Sequence, residues 1–339
     1  MKAKTLLILI GVFICISFVT ALVIKHRGVT GYRKGVGTRI FSGIPWNKVC
    51  EIDIKGIEQN VTLVKDRGAW RVKEYYNYLA DFSQISDLVE KLKGVSIGQT
   101  FKADSSVLKR LMLIDPEDPK AKDTYKGKAL ILKDRHGRLI KKIIFGKAMK
   151  QQETGIPAGQ YIRFADEDTV YLIGEYLTSL TQGPREWIRL EILNIRPLDI
   201  KKIVGYEEGK EVYVLEKDKG KKEFRLKKGA DEVKKKIRRI KDGINYLTIE
   251  GVVDPKKASN LDAFGISEKN YVQYELFNGM IYKVYPGKKC GKEKCHIKLE
   301  IAYKGTDKVL SKKAETQRRL LSAWIFEVSK WRHDSFFLP

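Results

Sequence analysis

Val61-Thr62-Leu63-Val64-Lys65-Asp66-Arg67-Gly68, running into Trp70-Arg71-Val72, is answered later in the chain by Val212-Tyr213-Val214-Leu215-Glu216-Lys217-Asp218-Lys219-Gly220 and Phe224-Arg225-Leu226. Each copy is an apolar, β-branched run, a polar turn with glycine and a second run, which predicts a β-hairpin. An acidic residue and a helical pattern follow both. Asp81 precedes Ile85, Leu88, Val89 and Leu92, and Asp231 precedes Val233, Ile237, Ile240 and Ile244. Apolar residues spaced by three and four lie on one helix face. Another hairpin comes next in each copy. Ala129–Leu132 turns at His136-Gly137, and Val272–Leu276 turns at Asn278-Gly279, the strongest two-residue hairpin signal. These second hairpins end at Gly146-Lys147 and Gly287-Lys288.

The correspondence extends to the ends of the copies. Gln160–Phe164, Thr169–Leu172 and a helix near Glu175–Leu180 lead to Trp187-Ile188-Arg189. Lys298–Tyr303, Val309-Leu310 and a helix from about Lys313 to Val328 lead to Trp331-Arg332. The predicted fold class is α+β, with antiparallel sheets and helices packed on them, in two tandem duplicated halves. The halves are expected at 49–195 and 196–339, joined between Asn194 and Leu198 around Pro197. Two copies make a pseudo-symmetric pair rather than a solenoid. Trp70, Trp187, Trp324 and Trp331 sit at matched places and are expected in the core, with an aromatic sugar platform as the other reading.

The N-terminus carries an uncharged 20-residue run, Thr5–Ile24. As a helix it rises about 30 Å, the depth of a bilayer's hydrocarbon core. Met1–Lys4 is a short basic n-region, and Val19-Thr20-Ala21 has the small-x-small form of a cleavage site. The length of the run favours an uncleaved transmembrane anchor over a cleaved signal. Lys25, Arg27, Arg33 and Lys34 follow the span, so the positive-inside count does not favour a cytoplasmic N-terminus. Large C-terminal domains translocate largely regardless of such charges, and the body is expected outside, on the far side of the membrane from the cytoplasm. Residues 25–48, with Gly28, Gly31, Gly35 and Gly37, read as a flexible juxtamembrane linker.

A hydrophobic content of 43 % with 32 % charged residues describes a globular body and excludes a disordered one. The 66 basic against 42 acidic residues leave a formal net charge of +24, which attracts polyanions. A membrane tether makes anionic lipid or an envelope polymer the expected partner, not nucleic acid. The densest basic stretch, 227–241, supplies the candidate anionic-surface residues Lys234, Lys235, Lys236, Arg238 and Arg239. Near an anionic surface each such cation adds about 1 kcal/mol. The plainer reading is the solvated face of a core-packing helix.

Motifs for catalysis fare poorly. Gly94-Val95-Ser96-Ile97-Gly98 has the letters of a serine-hydrolase elbow, but that elbow needs a strand before the serine and a helix after it. Here the helix comes first. Cys290-Gly291-Lys292-Glu293-Lys294-Cys295-His296 offers three donors, yet structural zinc takes four and no second Cys/His pair exists nearby. Facing residues of a hairpin lie near disulfide distance, so Cys290–Cys295 is the preferred pairing, with free thiols and a metal as alternatives. Closing so short a loop contributes roughly 2 kcal/mol. Cys50 is then left unpaired. Gly35-Val36-Gly37 lacks the third glycine of a dinucleotide fingerprint, since Ile40 stands there. No phosphate-binding Gly-x4-Gly-Lys-Ser/Thr occurs. Carboxylate pairs such as Asp115/Asp118 and Glu207/Glu208 lie in turns that fix no catalytic separation. The expectation is no catalytic set, no cofactor and no resident metal.

The order of elements resembles a bacterial family catalogued as domain of unknown function 4340. The resemblance is carried by Gly68-Ala69-Trp70-Arg71-Val72, Ala80-Asp81, Ile144-Phe145-Gly146 and Ala263-Phe264-Gly265-Ile266. Where the first half should carry Phe-Gly-Leu, the chain departs, with Leu111-Met112-Leu113-Ile114-Asp115. The family carries no assigned activity, and its genes often sit beside ABC-type transport components similar to the gliding-motility auxiliary protein. The resemblance implies a non-enzymatic, membrane-anchored accessory or scaffold protein, partnered by an ABC-type permease and ATPase. The competing expectations are a binding module for an anionic envelope polymer or lipid and, behind it, an envelope hydrolase using Ser96.

Overall fold

The computed structural model describes residues 36–151, 154–292 and 294–336. The Thr5–Ile24 run therefore lies outside the described residues, and among those described no helix is long and apolar enough to cross a membrane. The fold is α+β with large antiparallel sheets. Two compact units divide the chain: one holds residues up to Val64 and Ser83–Gly183, the other Lys65–Phe82 and Pro184–Pro339.

In chain order the first elements are β1 (Glu51–Lys55), β2 (Asn60–Asp66), β3 (Ala69–Val72), β4 (Tyr78–Leu79), α1 (Phe82–Gly94), β5 (Ile97–Lys102), α2 (Ser105–Arg110), β6 (Lys128–Lys133), β7 (Leu139–Lys150), β8 (Pro157–Phe164) and β9 (Thr169–Ile173). Unit 1 holds the strands hydrogen-bonded in the order β2-β1-β6-β7-β8-β9-β5. Successive side chains of a strand point to opposite faces, and here both faces are covered. Ala129 and Ile131 join Leu113, Ile144 and Val170 in one cluster, while the alternate residues Leu130 and Leu132 are equally buried. Helix α1 buries Ile85, Leu88 and Leu92, the face its spacing predicts.

Unit 2 continues with β10 (Glu191–Leu193), β11 (Ile200–Glu207), β12 (Lys210–Glu216), β13 (Arg225–Lys228), α3 (Asp231–Lys241), β14 (Leu247–Thr248), β15 (Gly251–Val252), α4 (Pro255–Ala258), β16 (Tyr271–Leu276), β17 (Met280–Pro286), β18 (Lys294–Tyr303), α5 (Lys308–Leu321), β19 (Ile325–Ser329) and α6 (Lys330–His333). Its main sheet runs β13-β12-β11-β16-β17-β18-β19-β15, and β10 pairs separately with β14. Counted from β12, the strands follow the same sequence of hairpins and crossings as those of unit 1 counted from β2.

Several sequence expectations give way here. The hairpin β3-β4 belongs with unit 2, not with residues 49–195. Asp81 N donates to Trp187 O at 2.8 Å, Arg189 N donates to Leu79 O at 2.8 Å, and Tyr78 packs edge-on against Trp324 at 5.0 Å. Val309-Leu310 is no strand; it opens α5, whose N-cap Asp307 accepts from both backbone amides. That helix ends at Leu321, and Ile325–Val328 is strand, zipped to β18 through Ile325↔Lys298 and Val328↔Cys295. In place of a helix near Glu175–Leu180 there are 3-10 turns at Thr178–Thr181 and Pro184–Trp187. The described part of the expected linker is seated on unit 1, since Gly37 N donates to Ile97 O, Ile40 N to Val95 O, and Phe41 is fully buried. Trp187 and Trp324 are core, but Trp331 is 60 % exposed.

Candidate functional site

A cleft of about 550 Å³ opens in unit 1, within the usual size of a ligand site. Its floor comes from Ile54 at the end of β1, Phe145 of β7, and Leu177 and Leu180 around the 3-10 turn. The close seating of residues 111–113 on β6 and β7 shapes one wall. A Cβ on Gly127 would stand 2.5 Å from Met112 O, and one on Gly146 would stand 2.3 Å from Leu111 O. Lys147 N donates to that same Leu111 carbonyl at 2.8 Å. Gln160, buried in β8, ties the opposite wall: its Nε2 donates to Gly146 O at 3.1 Å, and its Oε1 accepts from Leu177 N at 3.5 Å.

The polar part of the lining includes the cations Lys126, Lys128 and Lys147 and the anion Glu58. Lys126 is neutralised by Asp123 at 2.9 Å. Lys128 is half-buried; burial pulls its ammonium below the usual lysine range, and the Glu58 carboxylate opposes that shift. Lys147 is exposed at the rim. Gln182, also in the lining, keeps Oε1 buried without a hydrogen-bond partner, an acceptor position for an incoming N–H. Glu58, Tyr176 and Thr181 also line the cleft, so it offers apolar contact, charge of both signs and hydrogen bonds. Ser96 lies between α1 and β5, in a bridge to Arg39, with helix before and strand after it.

The anionic-surface candidates all fall on α3, whose Val233 and Ile240 are buried. Lys234, Lys235, Arg238 and Arg239 are exposed and Lys236 is half-buried. Lys234 pairs with Asp231 at 2.8 Å and holds that carboxyl below its ordinary range. Among the described residues, Lys235, Arg238 and Arg239 have no carboxylate at ion-pair distance.

Cys290 and Cys295 are joined as a disulfide, with Cα atoms 4.4 Å apart, on the turn leading into β18. The sequence neighbour His296 turns away and rests on the Phe264 ring at 4.8 Å. The residue that reaches the sulfurs is His333, from α6, which the local spacing does not reveal. It is buried; Nε2 donates to Gly287 O at 2.9 Å, and Nδ1 lies 3.9 Å from Cys290 Sγ. A carbonyl oxygen only accepts, so Nε2 carries the proton and Nδ1 presents a lone pair to the sulfur. Burial also pulls the imidazole below its ordinary range.

No curated protein matches the chain. No solved structure matches it either. A family model described as Domain of unknown function (DUF4340) matches residues 70–269, more than half of the chain and parts of both units. The chain belongs to the DUF4340 family.

Proposed function

We propose that the protein is a non-enzymatic accessory subunit of an ABC-type transport or motility-related complex, anchored in the bacterial inner membrane by Thr5–Ile24 with its body in the periplasm. The observation that carries this reading is the unit 1 cleft, with its apolar floor and the cations Lys128 and Lys147 in its lining. Such a lining suits a protein segment that presents an apolar side chain beside a carboxylate, supplied by the permease. Affinity capture of the full-length chain at native expression, in mild detergent, tests it. Near-stoichiometric recovery of an ABC permease and its ATPase is expected; a stable monomer without either counts against the proposal.

The two units are read as an internal duplication. Support comes from their like-ordered sheets and from one shared detail. Gly265 has φ +68° and Met112 φ +56°, and the residue before each lies against a glycine, Phe264 O against Gly287 and Leu111 O against Gly146. Leu111-Met112-Leu113 is then the counterpart of Phe264-Gly265-Ile266, with methionine held where glycine is at ease. Met112→Gly is expected to leave the urea midpoint unchanged or to raise stability by up to about 1 kcal/mol. A clear fall in the midpoint would argue against the shared turn.

A second reading, a module for phosphate-bearing envelope polymer or lipid, draws on the exposed cations of α3. Replacing Lys234, Lys235, Lys236, Arg238 and Arg239 by glutamine is expected to lower sharply the salt needed to elute the full-length chain from a polyphosphate resin. Unchanged elution removes α3 as the contact.

A further inference from the structure

We propose that Cys290, Cys295 and His333 form a redox-gated site for a thiophilic divalent cation, Zn²⁺ by its donor chemistry, closed while the two cysteines are joined and opened by a dithiol reductant. The reductant delivers two electrons and two protons to the disulfide and leaves as its own disulfide. The cation then displaces the two thiol protons, forming two metal–sulfur bonds. The Nδ1 lone pair of His333 supplies the third bond and water the fourth.

Three features carry this beyond a structural disulfide. In a tetrahedral site, metal–sulfur bonds of about 2.3 Å and metal–nitrogen bonds of about 2.0–2.1 Å set the donor atoms about 3.5–3.8 Å apart. Cys290 Sγ and His333 Nδ1 stand 3.9 Å apart, and all three donor atoms lie within 4.8 Å of one another. Reduction lets the sulfurs separate toward the same spacing. Next, His333 already has the outer contact that ligating imidazoles keep, since its far nitrogen donates to the Gly287 carbonyl and aims Nδ1 at the sulfurs. A disulfide by itself requires no imidazole so oriented. Finally, Cys295 and His333 are buried on β18 and α6, whereas Cys290 is exposed, so one sulfur is open to the reductant and to the arriving ion. Two thiolates and an imidazole select a soft or borderline cation over Mg²⁺ or Ca²⁺.

The test is a Co²⁺ titration of the full-length chain, in detergent, before and after reduction with a phosphine. The reduced protein is expected to gain a near-ultraviolet thiolate-to-cobalt band saturating at one ion per chain and displaced by Zn²⁺. The oxidised protein is expected to show none. Cys290→Ser, at an exposed position, is expected to lose the band, and His333→Gln to weaken affinity about 100-fold. Should His333→Gln fail to fold, Zn²⁺ is still expected to raise the unfolding temperature of the reduced wild type and not of the oxidised protein. No band after reduction, or a band that survives Cys290→Ser, overturns the proposal.

Discussion

Gly146→Ala is expected to destabilise unit 1 by about 3 kcal/mol, the combined scale of overpacking and a lost hydrogen bond. The added methyl would sit 2.3 Å from Leu111 O and 2.8 Å from Leu113 Cδ2. The first contact is backbone, so no rotamer change relieves it. Residues 111–113 must lift from β7, breaking the 2.8 Å bond from Lys147 N to Leu111 O and uncovering Leu113, which is fully buried. Gly287→Ala should do the same in unit 2, where the methyl would meet Phe264 O at 2.3 Å. Gly174→Ala is the control, with nothing within 4 Å of its Cβ. Peptide-resolved hydrogen exchange under mild urea reads the result, with protection lost across β6 and β7 for Gly146→Ala and unchanged for Gly174→Ala. Equal protection in the two variants would mean that the 111–113 segment moves without cost.

Lys133→Met should cost about 2–3 kcal/mol, because it strands a buried carboxylate. Lys133 Nζ lies 2.6 Å from both Glu51 Oε1 and Asp53 Oδ2, and Asp53 is 3 % exposed. The hydrogen bonds from Lys133 to Asp53 and then Glu51 push the ammonium up to about 12. Its stabilisation is fully present below the ordinary lysine value of 10.5 and is lost as pH rises through about 12. The stability gap between wild type and Lys133→Met should therefore close across that alkaline window. The double variant Lys133→Met/Asp53→Val should regain most of the loss, since an apolar pair replaces a buried ionic one. A gap that persists at high pH would assign the loss to packing of the lysine stem instead.

The hairpins and the helix faces were legible because local chemistry specifies them. Asn278-Gly279 turns β16 into β17, and Gly279 takes φ +87°. Ile85, Leu88 and Leu92 are buried as their spacing predicts. Elements decided by distant partners were not legible. Leu321, Trp324, Ile325 and Val328 keep helical spacing, so the sequence reads as one helix through Val328; pairing with β18 and β15 makes the last part a strand instead. The allegiance of β3-β4 to unit 2 rests on contacts to Trp187, Arg189 and Trp324, all remote in sequence. The Cys290–His296 segment marked the two cysteines, but His333, whose Nδ1 lies 3.9 Å from Cys290 Sγ, arrives on α6, after β19 in the chain. The cleft left no motif at all, because Ile54, Phe145, Gln160 and Leu180 come from separate strands and a 3-10 turn.

The most direct test of the accessory role places a photo-crosslinking phenylalanine at Ile57, a half-exposed position in the cleft lining, in the full-length chain at native expression. Leu139, 62 % exposed and outside that lining, takes the same residue as the comparison. An adduct between position 57 and an ABC-type permease subunit is expected, and none from position 139. No transport subunit at position 57, or the same subunit captured equally from both positions, would contradict it.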